Sequence, residues 1–200
     1  MTNSFYKHKV LILDFGSQYT QLIARRVREA QVYCEIHPFN VTIEKIKTFS
    51  PKGIILSGGP ASIYEIHAPK VDREILDLKV PVLGICYGMQ FLTHLLGGIV
   101  AKATDREYGN AAMTIEDNRD LFYGFGISDL ETVWMSHGDR IDRMPKDFVV
   151  LASSKNSPIA AMADTSRKFF GVQFHPEVAH TPEGHRVLKN FLFRICGCEP

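Results

Sequence analysis

The segment from Pro81 to Gly98, PVLGICYGMQFLTHLLGG, constrains the fold more strongly than any other part of the chain. It begins with an apolar run typical of a buried strand, and the residues after Cys86 have the periodicity of an amphipathic helix. Gly84 and Gly88 flank the cysteine, each two residues away. A sharp strand-to-helix bend strains the backbone at its apex and leaves no room for a Cβ at those two positions. The pattern therefore predicts that Cys86 lies at such a bend.

This predicted bend favours a nucleophilic role for Cys86. The bend lifts the side chain onto a sharp corner, and the helix that follows directs the positive end of its dipole at the sulfur, which stabilises a thiolate. The alternative is a free cysteine that only fills space in the core, as most free cysteines do. A base elsewhere in the chain is needed to decide between the two interpretations.

The segment GVQFHPEV supplies a candidate base. Phe169 to Phe174 has the pattern of a strand, and His175 falls where that strand ends because Pro176 cannot donate to a sheet ladder. Glu177 could accept a hydrogen bond from one imidazole nitrogen and direct the other toward Cys86, which would give a nucleophile, a base and an orienting carboxylate. Taken alone, a histidine in this setting is more often structural.

Composition and charge exclude several classes of function. The chain has 200 residues, of which 45% are apolar and 22% charged, and its net charge is +1. These values are typical of one soluble globular domain and argue against general nucleic-acid binding. No apolar run approaches the roughly 20 residues that span a bilayer, and the N-terminus lacks the apolar core of a signal peptide. We expect a cytoplasmic protein without membrane contact.

The cysteines indicate neither a disulfide framework nor a metal site. There are four in all, and Cys34 lies in a strand-like segment where we expect a core residue. Cys196 and Cys198 form a C-x-C pair without the two further ligands of a zinc site nearby. We expect this end of the chain to be a frayed terminus or a cut linker, and we expect no metal.

Strand and helix patterns alternate through the first half of the chain. Strands are predicted at Lys9–Asp14, Val32–His37, Gly53–Ser57 and Val80–Ile85, with helices at Gln18–Ala30, Thr42–Thr48 and Val71–Leu78. Such repeats predict a single α/β domain with a mostly parallel central sheet and helices on both faces. In the second half, mixed or antiparallel strands are predicted at Ala111–Ile115, Glu131–Met135, Phe148–Ser154 and Ile159–Ala163, followed by a helix at Pro182–Arg194.

Four features found separately fall at predicted strand ends, where α/β sheets bind their ligands. They are Asp14–Gly16, Ser57–Pro60, Cys86 and His175. The backbone N–H groups of Gly59 and Tyr87 could stabilise an oxyanion near Cys86. An ordinary tight turn is the alternative for the glycine pair. A phosphate loop is a poorer interpretation, because SGGP lacks the Gly-Lys-Ser/Thr ending.

Together these segments resemble the class I (triad) glutamine amidotransferases, and in particular the GMP synthase branch of that family. GICYG and HPE are shared by many members, whereas DFGSQYTQ and SHGD are narrower. The resemblance covers nearly the whole chain, through the segments Ile12–Glu29, Gly53–Pro60, Pro81–Gln90, Trp134–Asp139 and Gly171–Val178.

The resemblance implies a role for each matching residue. Cys86 would be the nucleophile, His175 the general base and acid, and Glu177 the residue that orients the histidine. The amides of Gly59 and Tyr87 would form the oxyanion hole. The amino-acid end of L-glutamine would be held by Gln90 and by the backbone around Ser136 and His137.

The resemblance also implies a partner. Ammonia from L-glutamine would pass to an ATP-pyrophosphatase (synthetase) domain that aminates XMP to GMP. ATP and Mg²⁺ would be needed only there, so we expect no cofactor in this chain. Residues 1–200 would be the amidotransferase domain alone, and we favour an excised domain over a natural subunit. Two alternatives stay open: a γ-glutamyl peptidase or related cysteine hydrolase, and a non-catalytic docking module.

Overall fold

The computed structural model describes residues 6–200 and places this part of the chain around one nine-stranded sheet. Its strand order is β2-β1-β3-β4-β9-β8-β7-β5-β6. The strands are β1 (Lys9–Asp14), β2 (Tyr33–Pro38), β3 (Gly53–Leu56), β4 (Val82–Ile85), β5 (Ile99–Ile115), β6 (Leu130–Arg143), β7 (Val149–Ser154), β8 (Ala161–Asp164) and β9 (Phe169–Val172).

The sheet has a parallel half and an antiparallel half. Strands β2, β1, β3, β4 and β9 are mutually parallel, so their carboxyl ends meet at one edge of the sheet. The remaining neighbours pair antiparallel, from β9 through β8 and β7 to the long β5–β6 hairpin. The predicted α/β architecture, with added antiparallel strands in the second half, is confirmed.

Helices cover both faces of the sheet. They are α1 (Thr20–Glu29), α2 (Ile43–Phe49), α3 (Tyr87–Leu95) and α4 (Gly184–Lys189), with a π-helical turn at Asn190–Ile195 and 3₁₀ turns at Arg73–Leu78 and Asp120–Phe122. Strand β1 shows why two cores form: Val10 and Ile12 pack toward α1 and α4, whereas Leu11 and Leu13 pack toward α2 and α3. Successive side chains of a strand point to opposite faces, and a run buried on both faces is continuously apolar. Every helix in the described part of the chain, residues 6–200, is too short or too polar to span a bilayer.

The structure differs from the sequence predictions at a few elements. The predicted helix at Val71–Leu78 is a 3₁₀ turn that stops where Lys79 adopts a left-handed conformation, with φ of 55°. The predicted strand at Phe169–Phe174 ends at Val172, three residues before His175. The hairpin strands extend well beyond the short segments predicted, because residues 99–110 are largely exposed and lack a buried face to mark them in the sequence.

The expectation of a frayed terminus at Cys196 and Cys198 is wrong. Both thiols are buried, and the backbone N–H of Cys198 donates to Leu192 O at 2.9 Å. The Cys196 sulfur packs against Gly53 at the start of β3. The predicted core position of Cys34 is confirmed, since it is buried in β2.

The bend between β4 and α3 has the geometry that the glycines predict. Cys86 has φ of 52° and ψ of −107°, a conformation that costs a residue with a side chain of order 1–3 kcal/mol. A Cβ on Gly84 would lie 2.6 Å from the carbonyl carbon and oxygen of Gly88. A Cβ on Gly88 would collide with the backbone of Leu56 at the end of β3. The glycines thus let α3 begin directly against β3 and β4.

Gly88→Ala should therefore destabilise the fold by at least about 2 kcal/mol, since backbone cannot move aside as a side chain can. Gly138→Ala is the matched control, because a Cβ there meets its nearest neighbour at 3.6 Å, an ordinary contact. Urea denaturation of both variants measures the difference. Equal unfolding free energies for the two variants would show that the approach of α3 to β3 is not tight.

Candidate active site

A cavity of about 580 Å³ opens where the carboxyl ends of the parallel strands meet. Asp14 ends β1, Ser57 follows β3, and Cys86 follows β4. His175 lies on the segment after β9, so the prediction that these four features share one edge of the sheet is confirmed. The residues that line the cavity include Ser17, Tyr19, Gly59, Pro60, Glu65, Cys86, Gln90, Lys102, Arg106, Tyr108, Ser136, His137, Asp139 and His175.

Cys86 and His175 line this cavity, and Glu177 is fully buried behind the imidazole of His175. The Nδ1 atom of His175 is 2.7 Å from Oε1 of Glu177. The imidazole also lies next to Cys86, since both residues line the cavity and a Cβ on Gly58 would contact both side chains. The thiol is also 3.5 Å from the carbonyl oxygen of Ser136, to which it donates. These contacts allow a proton to pass between sulfur and imidazole.

The electrostatics of the group favour a protonated imidazole. Burial alone would lower the pKa of His175, but its interactions with Cys86 and with the Glu177 carboxylate raise it from 6.5 to about 10. Glu177 is completely buried, and its Oε2 atom accepts no hydrogen bond from the described residues. The charge of this carboxylate is therefore compensated mainly by the imidazolium.

Neighbouring elements hold the histidine segment in place. The backbone N–H of His175 donates to Trp134 O at 3.0 Å. The Thr181 hydroxyl donates to His175 O at 2.7 Å and accepts from the backbone N–H of Trp134 at 3.0 Å. Arg26 on α1 donates to the backbone oxygen of Glu177 at 3.0 Å. Strand β6 and helix α1 thus fix the segment that strand β9 no longer supports.

The glycine pair after β3 fits tightly around the thiol and the imidazole. A Cβ on Gly58 would lie 3.1 Å from Cε1 of His175 and 3.6 Å from Cβ of Cys86. A Cβ on Gly59 would lie 2.5 Å from the carbonyl oxygen of Phe15. The Tyr87 side chain points away from the cavity, where its hydroxyl donates to Pro69 O at 2.7 Å. Any contribution of Tyr87 to the site would therefore come from its backbone N–H and not from its side chain.

The side chains of Gln90 and His137 already make hydrogen bonds to other groups of the protein. Nε2 of Gln90 donates to Asp139 O at 3.1 Å and to Oε1 of Gln173 at 3.3 Å. His137 donates from Nδ1 to Asp139 O at 2.6 Å, and its Nε2 is 3.0 Å from Glu107. The backbone of Ser136–Asp139 therefore forms the cavity wall, while the His137 ring supports it from behind.

Sequence reasoning missed the buried polar cluster behind that wall. The carboxylate of Glu107 accepts hydrogen bonds from the hydroxyls of Ser157, at 2.6 Å, and Ser154, at 3.0 Å, and it contacts His137. Burial would raise the pKa of Glu107, but these hydrogen bonds lower it overall. The residues that complete the cluster with Glu107 lie 47 and 50 positions away in the chain, so no local pattern marks it.

The cavity mouth carries charges of both signs, which sequence reasoning also missed. Lys102 and Arg106 on β5 supply the cationic groups, and Glu65 and Asp139 supply the anionic ones. Within residues 6–200, no three His, Cys, Asp or Glu side chains cluster in a way that could hold a metal ion.

The raised pKa of His175 predicts how stability depends on pH. The folded protein retains this proton up to about pH 10, whereas the unfolded chain releases it near 6.5, so the stabilisation is complete below pH 6.5 and is lost as the pH rises toward 10. One proton corresponds to about 1.4 kcal/mol per pH unit. Glu177→Gln should flatten this dependence between pH 6.5 and 8.5.

Urea denaturation across that range measures the effect. Glu44→Gln on the exposed side of α2 has the same charge change and serves as the control. Comparing each variant with wild type cancels the contributions of other titrating groups. Parallel stability curves for wild type and Glu177→Gln would contradict the interaction inferred for His175.

Comparisons with known proteins agree with this geometry. The family profile described as glutamine amidotransferase class-I matches residues 11–195. A GMP synthase [glutamine-hydrolyzing] from Caldanaerobacter subterraneus subsp. tengcongensis is 56% identical over 96% of this chain and 37% of its own length. The corresponding protein from Spiroplasma kunkelii is 54% identical over 96% of this chain and 37% of its own length. The chain therefore spans little more than a third of the curated relatives that it matches.

Solved structures give the same picture. A putative GMP synthase subunit from Thermoplasma acidophilum superimposes with a TM-score of 0.86, at 34% identity, covering 95% of this chain and 94% of that one. A glutamine amidotransferase from Thermotoga maritima shares the fold, with a TM-score of 0.69 at 21% identity over 96% of this chain and 86% of that one. Since the family profile matches nearly the whole chain, the protein belongs to the class-I glutamine amidotransferase family.

Proposed function

We propose that this chain hydrolyses L-glutamine to glutamate and ammonia, as the glutaminase part of a GMP synthase. The observation that carries the proposal is that Cys86 and His175 line one cavity next to each other, with the His175 imidazole hydrogen-bonded to the buried carboxylate of Glu177. A thiol beside a base that a third group orients is the arrangement of an activated nucleophile.

The reaction begins with attack of the Cys86 thiolate on the side-chain amide carbon of glutamine. The backbone N–H groups of Gly59 and Tyr87 stabilise the oxyanion that forms. Protonated His175 gives its proton to the departing nitrogen, so ammonia leaves and a γ-glutamyl thioester remains. The neutral imidazole then removes a proton from water, which attacks the thioester and releases glutamate and free thiol. Glu177 keeps the ring aligned for both steps.

The charges around the cavity suit an amino acid as substrate. A free amino acid carries an ammonium and a carboxylate on one carbon, so its site needs groups of both signs. Lys102 and Arg106 can attract the carboxylate, while Glu65 and the backbone carbonyls of Ser136–Asp139 can accept from the ammonium. Gln90 would position this wall through its hydrogen bond to Asp139 O.

We further propose that the ammonia passes to a synthetase domain that aminates XMP to GMP. The names of the relatives support this, and most of their length lies outside the part that this chain matches. ATP and Mg²⁺ would act in that domain, joined in cis or bound in trans, and this chain would need no cofactor of its own. The setting would be cytoplasmic, without nucleic acid or membrane as a partner.

Cys86→Ala should abolish glutamine hydrolysis because it removes the nucleophile. It should leave the fold intact, because the Cys86 side chain borders the cavity and the substitution does not alter the backbone of the bend. Cys34→Ala is the control, since it also removes a buried thiol but lies in β2. Glutamate release is measured with and without an added synthetase domain and XMP, because a partner can activate a glutaminase.

Labelling with a diazo-ketone analogue of glutamine separates the alternatives. The proposal predicts an adduct on Cys86 that glutamine prevents. Faster cleavage of γ-glutamyl peptides than of glutamine would indicate a peptidase instead. No adduct on Cys86, even with the synthetase present, would indicate a docking module and contradict the proposal. Undiminished hydrolysis by Cys86→Ala would contradict it as well.

A further inference from the structure

Two glutamine side chains form a continuous hydrogen-bonded chain that reaches the Cys86 sulfur. Gln173 follows β9 directly and is completely buried. Its Nε2 atom is 3.6 Å from the Cys86 sulfur, and its Oε1 accepts from Nε2 of Gln90 at 3.3 Å. Gln90 in turn donates to the carbonyl oxygen of Asp139 at 3.1 Å.

The carbonyl at the far end fixes the direction of every bond in this chain. A backbone carbonyl can only accept, so Gln90 must present its NH₂ group to Asp139. The second N–H of that group then points at Gln173, which must present its oxygen. The NH₂ group of Gln173 is left facing the sulfur. A flip of the Gln173 amide would oppose two NH₂ groups and place an oxygen against the thiolate.

Besides His175, two polar groups contact the sulfur, and they favour opposite protonation states. The carbonyl of Ser136 accepts a hydrogen bond only from a thiol, and it repels a thiolate. The N–H of Gln173 is a donor, and it stabilises the thiolate that remains once His175 takes the proton. Gln173 therefore compensates for the hydrogen bond that deprotonation removes.

We propose that Gln173 is a further catalytic residue, which donates a hydrogen bond to the Cys86 thiolate, and that Gln90 is a positioning residue that holds Gln173 in the donating orientation. The place of this bond in the reaction rests on the proposed function. The bond itself can be tested without any turnover.

The test is the rate at which iodoacetamide alkylates Cys86 as a function of pH, followed by mass spectrometry of the peptide that contains Cys86. This readout separates it from the three other thiols, which are buried elsewhere. Gln173→Met keeps the length of the side chain and removes the donor without adding charge. A hydrogen bond to a charged group corresponds to about a 10- to 100-fold change in equilibrium, so the pH midpoint of alkylation should rise by about one to two units.

Glutamine turnover by Gln173→Met should fall by a similar factor of about 10 to 100 through kcat, with little change in KM, because Gln173 contacts the sulfur and not the cavity mouth. Gln21→Met on the exposed side of α1 is the matched control and should change neither quantity. Gln90→Met should raise the alkylation midpoint by a smaller amount, because Gln173 is then free to flip.

An unchanged midpoint in folded Gln173→Met would overturn the inference, and a lower melting temperature alone would show that Gln173 is merely structural. If that variant does not fold, an unchanged midpoint in Gln90→Met overturns the inference in its place. If the alkylation midpoint shifts in Gln173→Met but the wild-type protein does not hydrolyse glutamine, the hydrogen bond to Cys86 is supported and only the proposed function is contradicted.

Discussion

The close approach of α3 to the backbone of β3 is the constraint on which the rest of the site depends. Gly84 and Gly88 make it possible, since a Cβ on either would collide with main chain. The approach forces Cys86 to a positive φ of 52° and turns its side chain toward the cavity. The free energy that the strained cysteine costs is offset by burial of the α3 residues Met89 and Leu92 against the sheet.

The antiparallel half of the sheet completes a site that the parallel half begins. Parallel strands bring the thiol and the glycine pair to one edge, but β9 ends before His175. Strand β6 then holds these groups in place, because Trp134 accepts a hydrogen bond from the backbone of His175 and Ser136 contacts the sulfur of Cys86. Behind that strand, the buried Glu107 and His137 pair fixes the wall of the cavity. The later strands therefore position residues of the candidate active site in addition to extending the sheet.

Local patterns predicted the parts of the molecule whose causes are local. The apolar run of β1 predicted its bounds without error, and two glycines predicted the bend at Cys86. Contacts between distant segments escaped prediction. Nothing near Gln173 shows that its amide faces the sulfur of Cys86, and the partners of Glu107 lie up to 50 residues away. The buried position of Cys196 similarly depends on its contact with Gly53, which lies in β3, far from Cys196 in the sequence.

The shared proton between Cys86 and His175 is the central claim, and an NMR titration of the His175 imidazole nitrogens tests it most directly. In the wild-type protein the ring should stay protonated to about pH 10, because Cys86 and Glu177 both favour the charged form. In Cys86→Ala the titration midpoint should fall markedly, since one of these two partners is gone. A wild-type midpoint near 6.5 that is unaffected by loss of Cys86 would contradict the account.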